Sequence, residues 1–131
     1  MMYEEESGDI RIALVGDALI SRRLLPYREP RFLALRDILQ NADVSVANAE
    51  TLFHEYESSP ISDSGPYGTY AACDPVVIDD LKWMGIKMVS TANNHAVDYG
   101  EEGILTNMRN LKGHGMPFAG TGRTLTEAVA P

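Results

Sequence analysis

Lys87-Met88-Val89-Ser90-Thr91-Ala92-Asn93-Asn94-His95, followed at once by Ala96-Val97-Asp98-Tyr99-Gly100, decides how this chain is read. A short apolar, β-favouring run ends in two amides, an imidazole and a carboxylate, side chains that hydrogen-bond a substrate or ligate a metal. In alternating α/β proteins the carboxyl ends of parallel strands are where ligands sit. The stretch therefore reads as a strand, near Ile86 to Thr91, that delivers a site.

Working outward, Asp74-Pro75 reads as a helix start, with Asp as N-cap and Pro in the first position. Val77, Ile78, Leu81 and Met84 would form its buried face, and Gly85 its left-handed cap. On the other side, Gly100 to Lys112 reads as a helix with Ile104, Leu105, Met108 and Leu111 inward, and Met116 to Ala119 as a short strand. Farther out, Ile10 to Val15 is a first strand that stops at Gly16-Asp17. Arg31 to about Asn41 is helical, with Phe32, Leu35, Ile38, Leu39 and Ala42 on one face. Val44 to Ala47 is a second strand running into Asn48-Ala49-Glu50, and a period of two puts Asn48 and Glu50 on one side. Leu52 to Ala72, including Ser64-Gly65-Pro66-Tyr67-Gly68, has no clear period and reads as a long loop. Met1 to Asp9 reads as a flexible acidic end. Successive strand-helix-strand units predict an α/β fold of βαβ units on a parallel sheet, because parallel strands cannot be joined by hairpins.

A chain of 131 residues, 44% hydrophobic, is the size of one domain with a real core. The formal charge of -8, read together with an absence of any Lys/Arg cluster, argues against a nucleic-acid partner. An acidic chain meets an anionic ligand through metal ions, helix N-termini or a few local cations. The single cysteine, Cys73, excludes an internal disulfide and has no motif that makes it a nucleophile. No run approaches the roughly 18 apolar residues of a membrane span, and Met1 to Asp9 lacks the parts of a signal peptide, which leaves localisation open. Thr124-Leu125-Thr126-Glu127 has the capping-box pattern of a helix start, yet Pro131 follows with hardly a turn to build. Residues 10–131 are therefore expected to be the N-terminal portion of a larger domain. Its open sheet edge and apolar face would be covered by a missing C-terminal region or by self-association.

Asp17, Asn48 with Glu50, and Asn94 with His95 and Asp98 follow the first three strands, and a parallel sheet brings those ends to one edge. Carboxylate, amide and imidazole together suit a divalent metal such as Mn, Fe, Zn or Mg, which could polarise an oxygen or generate a hydroxide. Each residue also has a structural reading. Asp17 suits a turn, Asn48 a loop-backbone contact, and Glu50 a solvated surface. Asn93 and Asn94 suit turn geometry, and His95 ordinary hydrogen bonding. Asp98, before Tyr99-Gly100, is preferred as a cap of the next helix. His54 and His114 make weak claims.

Gly16-Asp17, Ala42 to Glu50 and Ser90 to Gly100, with Gly120-Thr121-Gly122 and Glu127-Ala128, resemble the bacterial capsule-synthesis CapA family, the poly-gamma-glutamate capsule proteins. The resemblance spans about Ile10 to Pro131, and its most specific piece is Ala92-Asn93-Asn94-His95 with Asp98-Tyr99-Gly100. That family is similar in fold to calcineurin-like metallophosphatases, which implies the N-terminal part of a metallophosphatase-like α/β sandwich. By this resemblance Asp17, Glu50 and Asn94 would be metal ligands, with Glu50 replacing a bridging aspartate. His95 would be the catalytic group that assists the leaving group, and Asn48, Asn93 and Asp98 would support it. The phosphatase pattern Asp-x-His is here Asp17-Ala18-Leu19, and the later histidines of the phosphatase site have no counterpart. The implied role is synthesis, transport or anchoring of an anionic cell-envelope polymer, poly-gamma-glutamate, with metal-dependent hydrolysis or transfer as the chemistry of a catalytic version. The alternative is a non-catalytic binding or scaffolding subunit of an envelope assembly.

Overall fold

Strands and helices alternate through residues 8–61 and 69–130, the part of the chain that the computed structural model describes. Ser64 to Gly68 and all but the last two residues of the Met1 to Asp9 end lie outside it. The order is β1 (Ile12–Asp17), α1 (Pro30–Gln40), β2 (Val44–Asn48), β3 (Leu52–Phe53), β4 (Ala72–Cys73), α2 (Val77–Met84), β5 (Met88–Ser90), α3 (Gly100–Gly113), β6 (Phe118–Ala119) and α4 (Leu125–Ala128). Strands β1-β2-β5-β6 form a parallel four-stranded sheet, and β3-β4 a small parallel pair. The expected α/β fold with parallel βαβ units is the observed one.

Among the described residues one face of the sheet is buried, and the other is half-buried at β2 and β5 and exposed at β1. Ala47 and Val89, side by side in register, pack under Leu39 of α1, Ile78 and Leu81 of α2 and Leu111 of α3. Ile12, Leu14, Val44, Val46 and Met88 alternate to the opposite face. Ile12 and Leu14 are 62% and 76% exposed there, although parallel sheets are ordinarily covered on both sides.

Several expectations are corrected by packing. Leu35 and Ile38 of α1 are exposed while Leu39 and Ala42 are buried, because this helix sits at the β1 edge and part of its stripe has nothing beyond it. Helix α2 starts at Val77 rather than at Asp74-Pro75. Asp74 Oδ1 instead accepts the Val76 N–H (2.8 Å), and the Asp74 and Pro75 carbonyls accept from Val77 and Ile78 in a tight turn that leads in. The stretch read as a loop contains β3 and β4, two residues each and too short to show a period. In α3, Thr106 and Asn107 join Met108 and Leu111 in the buried set, while Ile104 and Leu105 are half-buried. The helix lies on β3, whose backbone needs partners. Asn107 Oδ1 accepts the Phe53 N–H (2.9 Å) and Asn110 Nδ2 donates to the Phe53 carbonyl (2.8 Å). The capping pattern does start α4, where Thr124 Oγ1 accepts the Glu127 N–H (3.2 Å).

The β1–α1 connection is fastened to α2. Asp80, with no exposed surface, accepts from Arg23 Nε (3.0 Å) and Nη2 (2.8 Å) and from the Leu24 and Leu25 N–H groups. The guanidiniums of Arg28 and Arg36 lie 5.8 and 5.1 Å from the Trp83 ring centroid, close enough for cation–π attraction. Gly85, at φ +100°, ends α2 in the expected left-handed cap, and a Cβ there would stand 2.6 Å from the Gln40 backbone N. Among the described residues no helix is long and apolar enough to cross a membrane.

Candidate functional site

Between Leu14 and Asp17 the register of β1 against β2 shifts: Leu14 pairs with Val46, but Asp17 rather than Gly16 pairs with Asn48. The extra residue advances the side-chain alternation by one, so Asp17 comes to the same side as Asn48 instead of the opposite one. Asn48 Nδ2 then donates to Asp17 Oδ1 (2.9 Å) and to Glu50 Oε2. The ends of β1 and β2 are thus joined through one amide.

The turn after β5 supplies the rest. Thr91 Oγ1 donates to the Ala119 carbonyl (3.0 Å), and Gly120, at φ +115°, comes so near Ala92 that a Cβ would sit 2.7 Å from its backbone N. Held this way, Asn93 presents Nδ2 to the Ala49 carbonyl (2.8 Å) and to Asn48 Oδ1 (3.1 Å), while its Oδ1 accepts the His95 N–H (3.0 Å). Two backbone groups therefore fix the Asn93 amide, and Asn93 in turn fixes Asn48. With its Oδ1 facing a donor, Asn48 must turn Nδ2 toward the two carboxylates.

Asp98 is buried and does not cap α3, which begins after Tyr99 with no side-chain cap bond. Its Oδ2 accepts the Ala71 N–H (2.8 Å) and lies 2.7 Å from His95 Nδ1. A carboxylate only accepts, so His95 Nδ1 carries a hydrogen and Nε2 is left toward Glu50 Oε1, 3.9 Å away. The preference for a helix cap at Asp98 is overturned by this contact. Asp17, Asn48, Glu50, Asn93, His95 and Asp98 thus form one chain of contacts, with Glu50 and Asp98 buried and Asp17 exposed. Asn94 is exposed and makes no side-chain hydrogen bond within the set.

The donors present do not complete a metal cage. Among the described residues no three His, Cys, Asp or Glu side chains group so as to hold a metal ion, and the position between Asp17 and Glu50 is taken by an amide NH2.

Two further features escaped the sequence reading. His54, read as a weak loop candidate, is fully buried. Its Nδ1 accepts the Tyr56 N–H (3.0 Å), its ring stands edge-on to Tyr99 at 4.2 Å, and its Nε2 has no partner among the described residues. Burial holds its pKa below the ordinary value, against the pull of nearby Glu57. The expected lack of a Lys/Arg cluster is also corrected: five arginines fall within residues 22–36, hidden in the sequence by the acidic total. Cys73 is inert, its thiol pushed up to about 12, first by burial and then by Asp74. His114 pairs at the surface with Asp79 (3.1 Å).

Comparison with known proteins gives a family and two relatives. A family model described as "Bacterial capsule synthesis protein PGA_cap" matches residues 11–131. "Uncharacterized protein y4sH" and "Uncharacterized protein y4uA" of Sinorhizobium fredii (strain NBRC 101917 / NGR234) are each 36% identical over 117 residues, 88% of this chain. The chain spans 25% of the length of each.

Proposed function

The chain belongs to the bacterial capsule synthesis protein family, and from that premise we propose that it acts on poly-gamma-glutamate, an anionic envelope polymer, in its synthesis, transport or anchoring. The edge from Asp17 to Asp98 is the working site in this reading. The observation that carries it is the posture of His95: Nδ1 is tied to buried Asp98, and Nε2 faces Glu50 on a side chain that stays 19% exposed. An imidazole so oriented accepts a proton at Nε2, and the neighbouring carboxylates of Glu50 and Asp98 stabilise the imidazolium that forms. Applied to an amide bond of the polymer, a water loses a proton to Nε2 as its oxygen bonds to the carbonyl carbon. The same proton then passes to the departing amine as the C–N bond breaks. Asn48 and Asn93 position Glu50 and the His95 backbone, and Asp17 closes the solvent side.

His95→Ala and Glu50→Gln, made in a strain whose capsule output depends on this protein, are expected to lower output about 100-fold or more, the usual worth of a general acid–base. Unchanged output with both variants folded ends the reading.

A second reading, a binding or scaffolding subunit without turnover, is favoured by the amide that takes the place of a cation between Asp17 and Glu50. Loss of output in the variants, combined with no cleavage of γ-glutamyl oligomers by the wild type, selects it.

A further inference from the structure

The connection from β1 to α1 is the cationic part of an acidic protein. Arg22, Arg23, Arg28, Arg31 and Arg36 are five of the 11 Lys and Arg residues in a chain of net charge -8. Glu29 is the one acid among residues 18–36. Three of these arginines are engaged internally: Arg23 with Asp80, Arg28 with the Leu25 and Tyr27 carbonyls, and Arg36 with Asp37. Arg22 and Arg31 are exposed, and among the described residues neither makes a side-chain hydrogen bond or ion pair. Both line a cavity of about 650 Å³ whose apolar wall includes Leu19, Tyr27 and Phe32, with Glu29 as the one carboxylate among the described residues that line it. The lining of the cavity begins next to the site along the chain. Leu19 is two residues past Asp17, and the Ala18 N–H donates to the Asn48 carbonyl (2.8 Å), which anchors the start of the connection to the network.

Two free arginines and an apolar wall lining one cavity point to a ligand class. Guanidinium offers a planar fork that matches a carboxylate in two parallel hydrogen bonds. The wall between them suits methylene groups, and a nucleic-acid backbone would call for a longer cationic track. We propose that this cavity binds a segment of polycarboxylate chain, with carboxylates on Arg22 and Arg31 and the aliphatic backbone between them on Leu19 and Phe32. This deepens the capsule reading and rests on it for the identity of the polymer.

The test is titration calorimetry of the full chain with γ-linked glutamate oligomers at two salt concentrations. Wild type is expected to bind with an affinity that falls with salt. Arg22→Gln/Arg31→Gln should weaken binding at least tenfold and flatten the salt dependence. Lys112→Gln/Arg123→Gln, in a separate cavity beside α3, should bind as wild type. Binding unchanged in the Arg22/Arg31 variant overturns the proposal, as does a loss that follows Lys112 and Arg123. Polyphosphate or a single-stranded oligonucleotide bound more tightly than the glutamate oligomer also overturns it. Glu50→Gln and His95→Ala separate the two readings: retained binding with lost capsule output supports both, whereas retained output with arginine-dependent binding removes the catalytic reading and leaves the cavity standing.

Discussion

Two aspartates, Asp80 and Asp98, are both buried, and they face partners of different kinds. Burial raises the Asp80 carboxyl, but the Arg23 hydrogen bonds and the Leu24 and Leu25 N–H groups outweigh it and hold the pKa below its ordinary value. Its partner is charged at every working pH, so the pair serves to hold the β1–α1 connection on α2. Asp98 instead faces the His95 imidazole at 2.7 Å, a ring that stays 19% exposed and so can be reached from outside. A buried carboxylate with a permanent counter-charge fastens two elements together, whereas one beside an imidazole fixes which ring nitrogen carries the hydrogen.

Removing each carboxylate tests the contrast. Asp80→Ala leaves a guanidinium and two backbone N–H groups without their acceptor, and should cost about 3 kcal/mol, read as a lower denaturant midpoint at unchanged slope. Asp98→Asn keeps an acceptor for the Ala71 N–H and should cost about 1 kcal/mol or less. Its larger effect should be on function: capsule output down about tenfold, as for the loss of an orienting partner, with nitrogen NMR showing His95 moved from the Nδ1–H to the Nε2–H tautomer. Equal destabilisation by the two variants, or an unmoved tautomer, would erase the distinction.

A weaker effect probes the amide between the carboxylates. Asn48→Asp replaces two N–H donors by a third carboxylate and should raise Mn2+ affinity several-fold in equilibrium dialysis. Stoichiometric Mn2+ on the wild type, lost in Glu50→Gln, would instead show that a cation displaces the amide.

The smallest effects are in pH. Asp80, with its folded pKa depressed, contributes stability that is present above about pH 3.9 and lost as pH falls through the lower folded value. His54 is also depressed when folded, so the unfolded chain takes up its proton first and stability declines as pH drops below about 6.5. The decline should vanish in His54→Phe.

The sequence made the sheet and the convergence of its strand ends legible, because a short β-favouring run precedes each of Asp17, Asn48 and Asn93 and ends in a polar side chain. It did not reveal that Asp17 shares a side with Asn48, since a register shift depends on a partner strand and leaves no mark in either strand alone. Asp98 read as a cap because spacing to Gly100 is local, whereas its contact with Ala71 joins segments 27 residues apart. The β3–β4 pair was hidden because each strand is only one period of alternation long, too short for a pattern to repeat. The arginine cluster was visible all along, and was masked only by summing charge over the whole chain.

Trp83 is the only tryptophan in the chain, with the Arg28 and Arg36 guanidiniums over its ring and Phe32, a wall residue of the cavity, 6.3 Å away. Indole emission shifts in wavelength and intensity when nearby charges move. The chain thus carries an intrinsic fluorophore behind the cavity wall, and filling the cavity should change its spectrum without any attached dye.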